Sequence, residues 1–275
     1  VINSTQTRAA GGELGRLLRH WRDLRGKSQN ELSLDTEISQ RHLSFIESGR
    51  SAPSRQSLVT IAEALDIPLR ERNQLFLAAG FAPIYVDEAW NAGEMASVNR
   101  ALARVLQQHE PFPAVVMDRY WNVLMTNEAA PRFFNAFVDL AARPTPRNML
   151  HLMFDPGGMR PHIANWYSAS KSLLERVRRE AVGHVMDDRT RELIDELLAY
   201  PDVDQGDATP AEESSLPMVP LSFMKNGRTL NYFSMVSTVG TPLTIAAQEL
   251  RVECLFPTDE ATEALHKELM ASAGT

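Results

Sequence analysis

The sequence predicts two domains: an all-α bundle of five short helices, then an α+β domain built on an antiparallel sheet. Three observations carry this. Through the first 80 residues, apolar residues recur at helical spacing with a capping residue before most runs. In the middle, PAVVMDRYWNVLMTNEAA reads as strand, turn at Asp118-Arg119, strand and helix. Further on, Asn226-Gly227 lies between two β-rich runs, the signature of a type I′ hairpin.

Each element has a local reason. Leu14, Leu17, Leu18, Trp21 and Leu24 give a first amphipathic helix that stops near Gly26. Ser28 caps a second helix, with Glu31 completing a capping box and Leu32 and Leu34 expected inward. Ser39 caps a third, from about Gln40 to Ser48, ended by Gly49, with Leu43 and Ile46 inward. A fourth helix follows Ser54 with Leu58, Ile61, Ala62 and Leu65 inward, and a fifth runs from about Leu69 to Ala79. A connector over 81–96 leads to a helix from about Ala96 to Gln108. After the first strand pair, residues 148–200 read as helical, with Met159–Glu180 and Asp188–Tyr200 the longest candidates. PDVDQGDATPAEESS, acidic and carrying two prolines, reads as a mobile loop. QELRVECLF alternates, with Leu250, Val252, Cys254 and Phe256 on one face and Arg251 and Glu253 on the other. These runs predict about five strands with helices on one side.

Composition narrows the partners. The chain of 275 residues has a net charge of −7, yet the first 80 residues carry a balance of +2 and the rest −9. The first third is therefore the part suited to a polyanion. One cysteine, Cys254, fits a reducing cytosol. With no long apolar run and no apolar leader, neither membrane span nor signal peptide is expected, and a cytoplasmic protein is.

A helix, a tight turn and a short helix with polar residues on its first exposed turn is helix-turn-helix geometry. Gln40 and Arg41 suit base edges in the major groove, with Ser39 and Ser44 on the same face. Gln29 can offer its amide to a phosphate, and Arg50 and Arg55 can neutralise the backbone where the chain leaves the groove. The same pattern also suits a plain helical bundle whose serines only cap. SQNEL…ISQRHLSFIESGRSAPS resembles the phage-repressor, Cro-like (Xre-type) helix-turn-helix family over residues 12–80. That resemblance implies a lambda-repressor-like DNA-binding domain.

MTNEAA, where an Asn-x-Ala-Ala step enters the helix over the sheet, resembles a PAS-type sensor. With RNMLHLMF, IANWY, FSMVSTVGTP and QELRVECLFP, residues 97–270 are similar to the ligand-binding domain of the MmyB-like transcription regulators. The resemblance implies a PAS-like α+β domain with an apolar pocket that accepts a fatty-acid-like molecule. The protein expected is a regulator whose ligand modulates DNA binding; one reader of such modest positive charge should bind weakly alone, so two readers of a homodimer on a palindromic operator of double-stranded DNA are expected. The rival reading is a regulator whose second domain only dimerises or holds a protein partner.

Soft and aromatic side chains mark the expected pocket: Trp121, Met125, Phe133, Phe134, Phe137, Met149, Met153, Phe154 and Trp166, with Phe233 from the later strand. Each is also an ordinary core residue. Asn122, Asn127, Arg147, Asn148 and His151 are the polar groups near them, as head-group partners or as caps. Beyond a fatty acid or similar apolar ligand, no cofactor is expected.

Catalytic signals are weak. YSASK, Tyr167 to Lys171, matches the Tyr-x-x-x-Lys step of short-chain dehydrogenases, but no strand precedes the glycines of AGGELG to cradle a dinucleotide. Seven histidines show no paired metal-ligand spacing, and one cysteine cannot complete a thiolate site. There is no Gly-x-Ser-x-Gly elbow and no P-loop, so enzyme activity is not expected.

Overall fold

The computed structural model describes residues 4–181, 187–203 and 218–272, with only the backbone described for 4–11 and 272. In chain order the helices are α1 (Ser4–Leu24), α2 (Gln29–Thr36), α3 (Gln40–Glu47), α4 (Arg55–Ala64), α5 (Leu69–Ala78) and α6 (Ala96–Gln108). There follow β1 (Ala114–Met117), β2 (Val123–Thr126), α7 (Ala129–Asn135), α8 (Met149–Phe154), α9 (Trp166–Arg179) and α10 (Asp188–Leu198). The chain continues with β3 (Leu221–Lys225), β4 (Arg228–Thr238), α11 (Ile245–Glu249), β5 (Arg251–Pro257) and α12 (Glu260–Ser272). The acidic loop expected after Tyr200 falls, from residue 204 on, outside the described residues.

Two compact units result: residues 1–89 with 241–248, and residues 90–240 with 249–275. The first unit packs α1 to α5 around Leu14, Leu18, Trp21, Leu43, Ile46, Leu58, Ile61 and Phe76, all buried. The caps form where expected: Ser28 and Glu31 make a full capping box, and Ser39 and Ser54 cap α3 and α4 through their side chains. Gly15 sits where α1 meets α3, and a Cβ there would lie 2.2 Å from the Glu47 carbonyl oxygen. Leu34, expected inward, is 74% exposed. It follows buried Leu32 by two positions, which places it on the opposite side of a helix. The inward place goes to Thr36, whose Oγ1 donates to the Leu32 carbonyl at 2.6 Å.

Thr241–Gln248, which the sequence reading assigned to the second domain, belongs to the first unit. Gln248 Oε1 accepts from the Leu69 backbone N–H at 2.8 Å, and the Ile245 N–H donates to the Val86 carbonyl at 3.1 Å. Pro68, at the N-cap of α5, offers no side-chain cap, so Gln248 supplies one from far along the chain.

The second unit holds a fully antiparallel sheet of five strands among the described residues, in the order β2-β1-β5-β4-β3. Asn226 and Gly227 turn with φ of 52° and 74°, as a type I′ hairpin requires. α7, α8, α9, α10 and α12 all place side chains in one core with Val115, Met117 and Leu255 of the sheet. α6 ends on the opposite face, where the His109 ring stands edge-on to Phe256 at 4.6 Å, so helices are not confined to one side.

One expectation fails here for a physical reason. The helix expected from Met159 begins only at Trp166, because Pro161 sits in a 3-10 turn over Arg160–His162 that cannot feed straight into it. On β5, Arg251 and Glu253 share one face, as the alternation predicts, and that charged face is buried. Glu253 pairs across the sheet with Val115 and Arg251 with Met117, so both point into the core beneath α9. There they are matched by charge: Arg176 Nη1 meets Glu253 at 2.6 Å and Arg251 meets Glu180 at 3.7 Å.

Candidate DNA-reading face and ligand cavity

The first site is built by α3. Its C-terminus closes in a Schellman motif: Gly49, with φ of 70°, donates to the Ile46 carbonyl and Arg50 to the Phe45 carbonyl. That turn brings Arg50 back beside the helix. Phe45, half-buried, then has the Arg41 guanidinium 5.3 Å and the Arg50 guanidinium 5.9 Å from its ring centroid. Gln40 and Arg41 are exposed on the first turn and Ser44 is half-buried on the next. The Ser39 hydroxyl is occupied as the cap, accepting from the His42 N–H at 3.3 Å. Arg55 is exposed at the start of α4, stacked 5.5 Å from Phe81 and donating to the Ala82 carbonyl at 3.4 Å.

Gln29, expected to present its amide outward, is held differently. Its Nε2 donates to Glu47 at 2.9 Å, and Arg22 (2.7 Å) and Arg19 (3.6 Å) converge on the same carboxylate. Burial pushes the Glu47 carboxyl up, but the hydrogen bonds from Arg22 and Gln29 and the charges of Arg22 and Arg19 outweigh it and hold it below the usual range. Glu47 thereby ties α1, α2 and α3 together.

The second site is a narrow apolar cavity of about 40 Å³ in the second unit, walled by Trp121, Phe134, Met149, Met153, Val115, Leu150 and neighbours. It adjoins an open groove of about 760 Å³, and Leu173, Leu221, Glu253 and Leu255 wall both. Trp121 stands at φ of 67°, a left-handed conformation that a bulky residue adopts only when held. Asp118 Oδ1 accepts from the backbone N–H groups of Tyr120 and Asn122, and Asn148 Nδ2 donates to the Tyr120 carbonyl. The Met149 N–H donates to the Trp121 carbonyl at 2.9 Å. The β1–β2 turn is thus fastened to the start of α8, and the indole is driven into the cavity.

The remaining expected pocket residues lie elsewhere. Met125 pairs with Val116, on the sheet face away from Val115 and the cavity. Asn127 spends its side chain on the Ala114 and Ala130 N–H groups and the Phe112 carbonyl. Phe133 is fully buried among Phe223, Tyr232 and His266, with ring centroids 5.3 to 5.8 Å away. Phe137 packs near His162, and Trp166 packs on Phe154 with Arg160 over it. Phe233 borders the groove, its ring stacked on Phe256. Asn148 and His151 border two surface clefts, with His151 between Tyr200 and Glu196. Tyr167 and Lys171 are exposed on α9. Among the described residues, no group of three His, Cys, Asp or Glu could hold a metal ion, and no helix is long and apolar enough to cross a membrane.

Comparison with known proteins decides the family. A model described as "MmyB-like transcription regulator ligand binding domain" matches residues 98–269, and a "Helix-turn-helix" model matches 18–72. The chain belongs to the MmyB-like transcription regulators. No curated protein matches this MmyB-like chain. A solved structure described as an RNA-binding light-oxygen-voltage receptor is 14% identical, with a TM-score of 0.28, over 98% of this chain and 64% of its own. The chain thus spans less than two thirds of that receptor, and so low a score carries no argument. As an MmyB-like regulator the protein has a DNA-binding helix-turn-helix domain and a ligand-binding domain.

Residue-level reading of this MmyB-like chain missed four side chains. Phe45, not among the expected contacts, is the platform for Arg41 and Arg50. Glu47 was overlooked because nothing local marks a buried carboxylate. Glu253 was placed on the polar face of its strand, and nothing local marks that face as buried. Arg176 carried one usable signal, its i,i+4 spacing to Glu180, which pairs with it at 2.7 Å.

Proposed function

We propose that the protein is a cytoplasmic, homodimeric regulator whose PAS-like second domain binds a small apolar ligand with a fatty-acid-like chain and modulates DNA binding through it. One observation carries the ligand reading: an apolar cavity walled by Trp121, Phe134, Met149 and Met153 adjoins a larger amphipathic groove, with Leu173, Leu221, Glu253 and Leu255 in the walls of both. The two methionines are unbranched and can be displaced by an incoming chain, which the narrow cavity requires. On the DNA side, Gln40, Arg41 and Ser44 would read bases while Arg50 and Arg55 fix the backbone, with the two readers of a dimer on half-sites about one helical turn apart.

Transmission has a covalent route. β4 and β5, which border the groove and cavity, are joined through Thr241–Gln248, a stretch of the first unit that caps α5. A ligand that shifts either strand pulls on that stretch. The second reading, a domain that only dimerises or holds a protein, is favoured by the cavity's narrowness at about 40 Å³. Native mass spectrometry of the purified protein, with extraction of bound lipid, separates the two. A stoichiometric co-purified amphiphile supports the sensor. An empty protein whose melting temperature ignores every long-chain compound supports the scaffold.

A further inference from the structure

We infer that the ligand's polar head is an uncharged oxygen acceptor, an ester or ketone carbonyl or an alcohol, seated on Arg176 where the groove adjoins the cavity. The inference rests on the proposal that the cavity takes an apolar ligand, and it narrows that ligand's chemistry.

Arg176 stands at the junction. Its guanidinium lies 4.7 Å from the Trp121 ring centroid, so the indole walls the cavity while the guanidinium walls the groove. Nε donates to Glu180 at 2.7 Å, and Nη1 donates to Glu253 at 2.6 Å and Ser234 at 3.2 Å. Nη2 is buried and has no hydrogen-bond partner. A buried donor left without an acceptor is costly, and an oxygen brought in by a ligand would recover that cost.

Charge decides which oxygen. The groove is lined by three carboxylates, Glu175, Glu180 and Glu253, against two guanidiniums, Arg176 and Arg179, and Arg251 is engaged with Glu180. Arg176 is already neutralised by two carboxylates, and Glu253 stands in the walls of both groove and cavity. An ionised head would meet like charge in a desolvated place. A carbonyl or hydroxyl oxygen accepts from Nη2 without that penalty.

The test uses the full-length protein with a medium-chain fatty acid, its methyl ester and the matching alcohol, followed by calorimetry at neutral pH. The ester and alcohol should bind about tenfold tighter than the acid. Glu253→Gln, an isostere that keeps an acceptor for Nη1, should close most of that gap by strengthening the acid. Arg176→Met should weaken the ester about fivefold. A melting curve for each variant reports folding, and if Arg176→Met does not fold, Glu253→Gln alone decides. An acid that binds as tightly as its ester, or an acid-to-ester ratio that Glu253→Gln leaves unchanged, overturns the head-group assignment while the apolar sensor stands. If none of the three binds, the sensor proposal itself falls, and this inference with it.

Discussion

Glu47 and Trp121 show how single side chains set the two sites. Glu47 gathers Arg22, Arg19 and Gln29 beneath the reading helix, and its removal would leave a largely buried guanidinium without its partner. Glu47→Ala should therefore cost about 3 kcal/mol in urea unfolding. The pH sign follows from its lowered folded pKa. The stabilisation is full above the ordinary carboxylate range and is lost as pH falls through the folded value, because the unfolded chain takes up the proton first. Wild type should lose more stability than Glu47→Ala on acidification, and parallel losses would contradict the role. Trp121 carries its strain for a different reason: a left-handed tryptophan costs roughly 1–3 kcal/mol, and the Asp118 and Asn148 clamps hold it facing the cavity.

At the scale of elements, α3 works as a unit with its terminal turn. Both guanidiniums lie over the Phe45 ring, so the arginines proposed to read a base and to bind phosphate share one support. Arg41→Ala should relax base preference and cost about 1–3 kcal/mol on the preferred site, whereas Arg50→Ala should weaken all sequences alike and flatten the salt slope. Binding-site selection with both variants checks this, and an unchanged preferred site in Arg41→Ala would mean that another residue reads the base. These helices were legible in the sequence because caps and stops are local: Ser28, Glu31, Ser39 and Gly49 each act within a few positions. The hairpin at Asn226-Gly227 was legible for the same reason. The cavity was legible only in part. Trp121, Phe134, Met149 and Met153 line it, but Met125 falls on the other sheet face and Phe133 in the deep core. Which side of a strand meets a cavity is decided by partners distant in sequence, as α9 decides for Arg251 and Glu253.

For the whole molecule, connectivity matters more than either site alone. The chain leaves the sheet of the second unit at the end of β4, contributes Thr241–Gln248 to the first unit, and returns as β5. Gln248 caps α5 while Glu249, the next residue, is held by Arg119 at 2.8 Å in the second unit. Adjacent residues are therefore anchored in different units, and a displaced β5 has a direct covalent path to the reader. Couplings of this kind are typically about 1–3 kcal/mol, or roughly five- to 150-fold in affinity. The most direct measurement is fluorescence anisotropy of a selected operator duplex, titrated with the protein in the absence and presence of a saturating medium-chain ester. The account predicts at least about a fivefold change in DNA affinity on ligand binding. Stoichiometric binding of the ester with an unchanged operator affinity would contradict it.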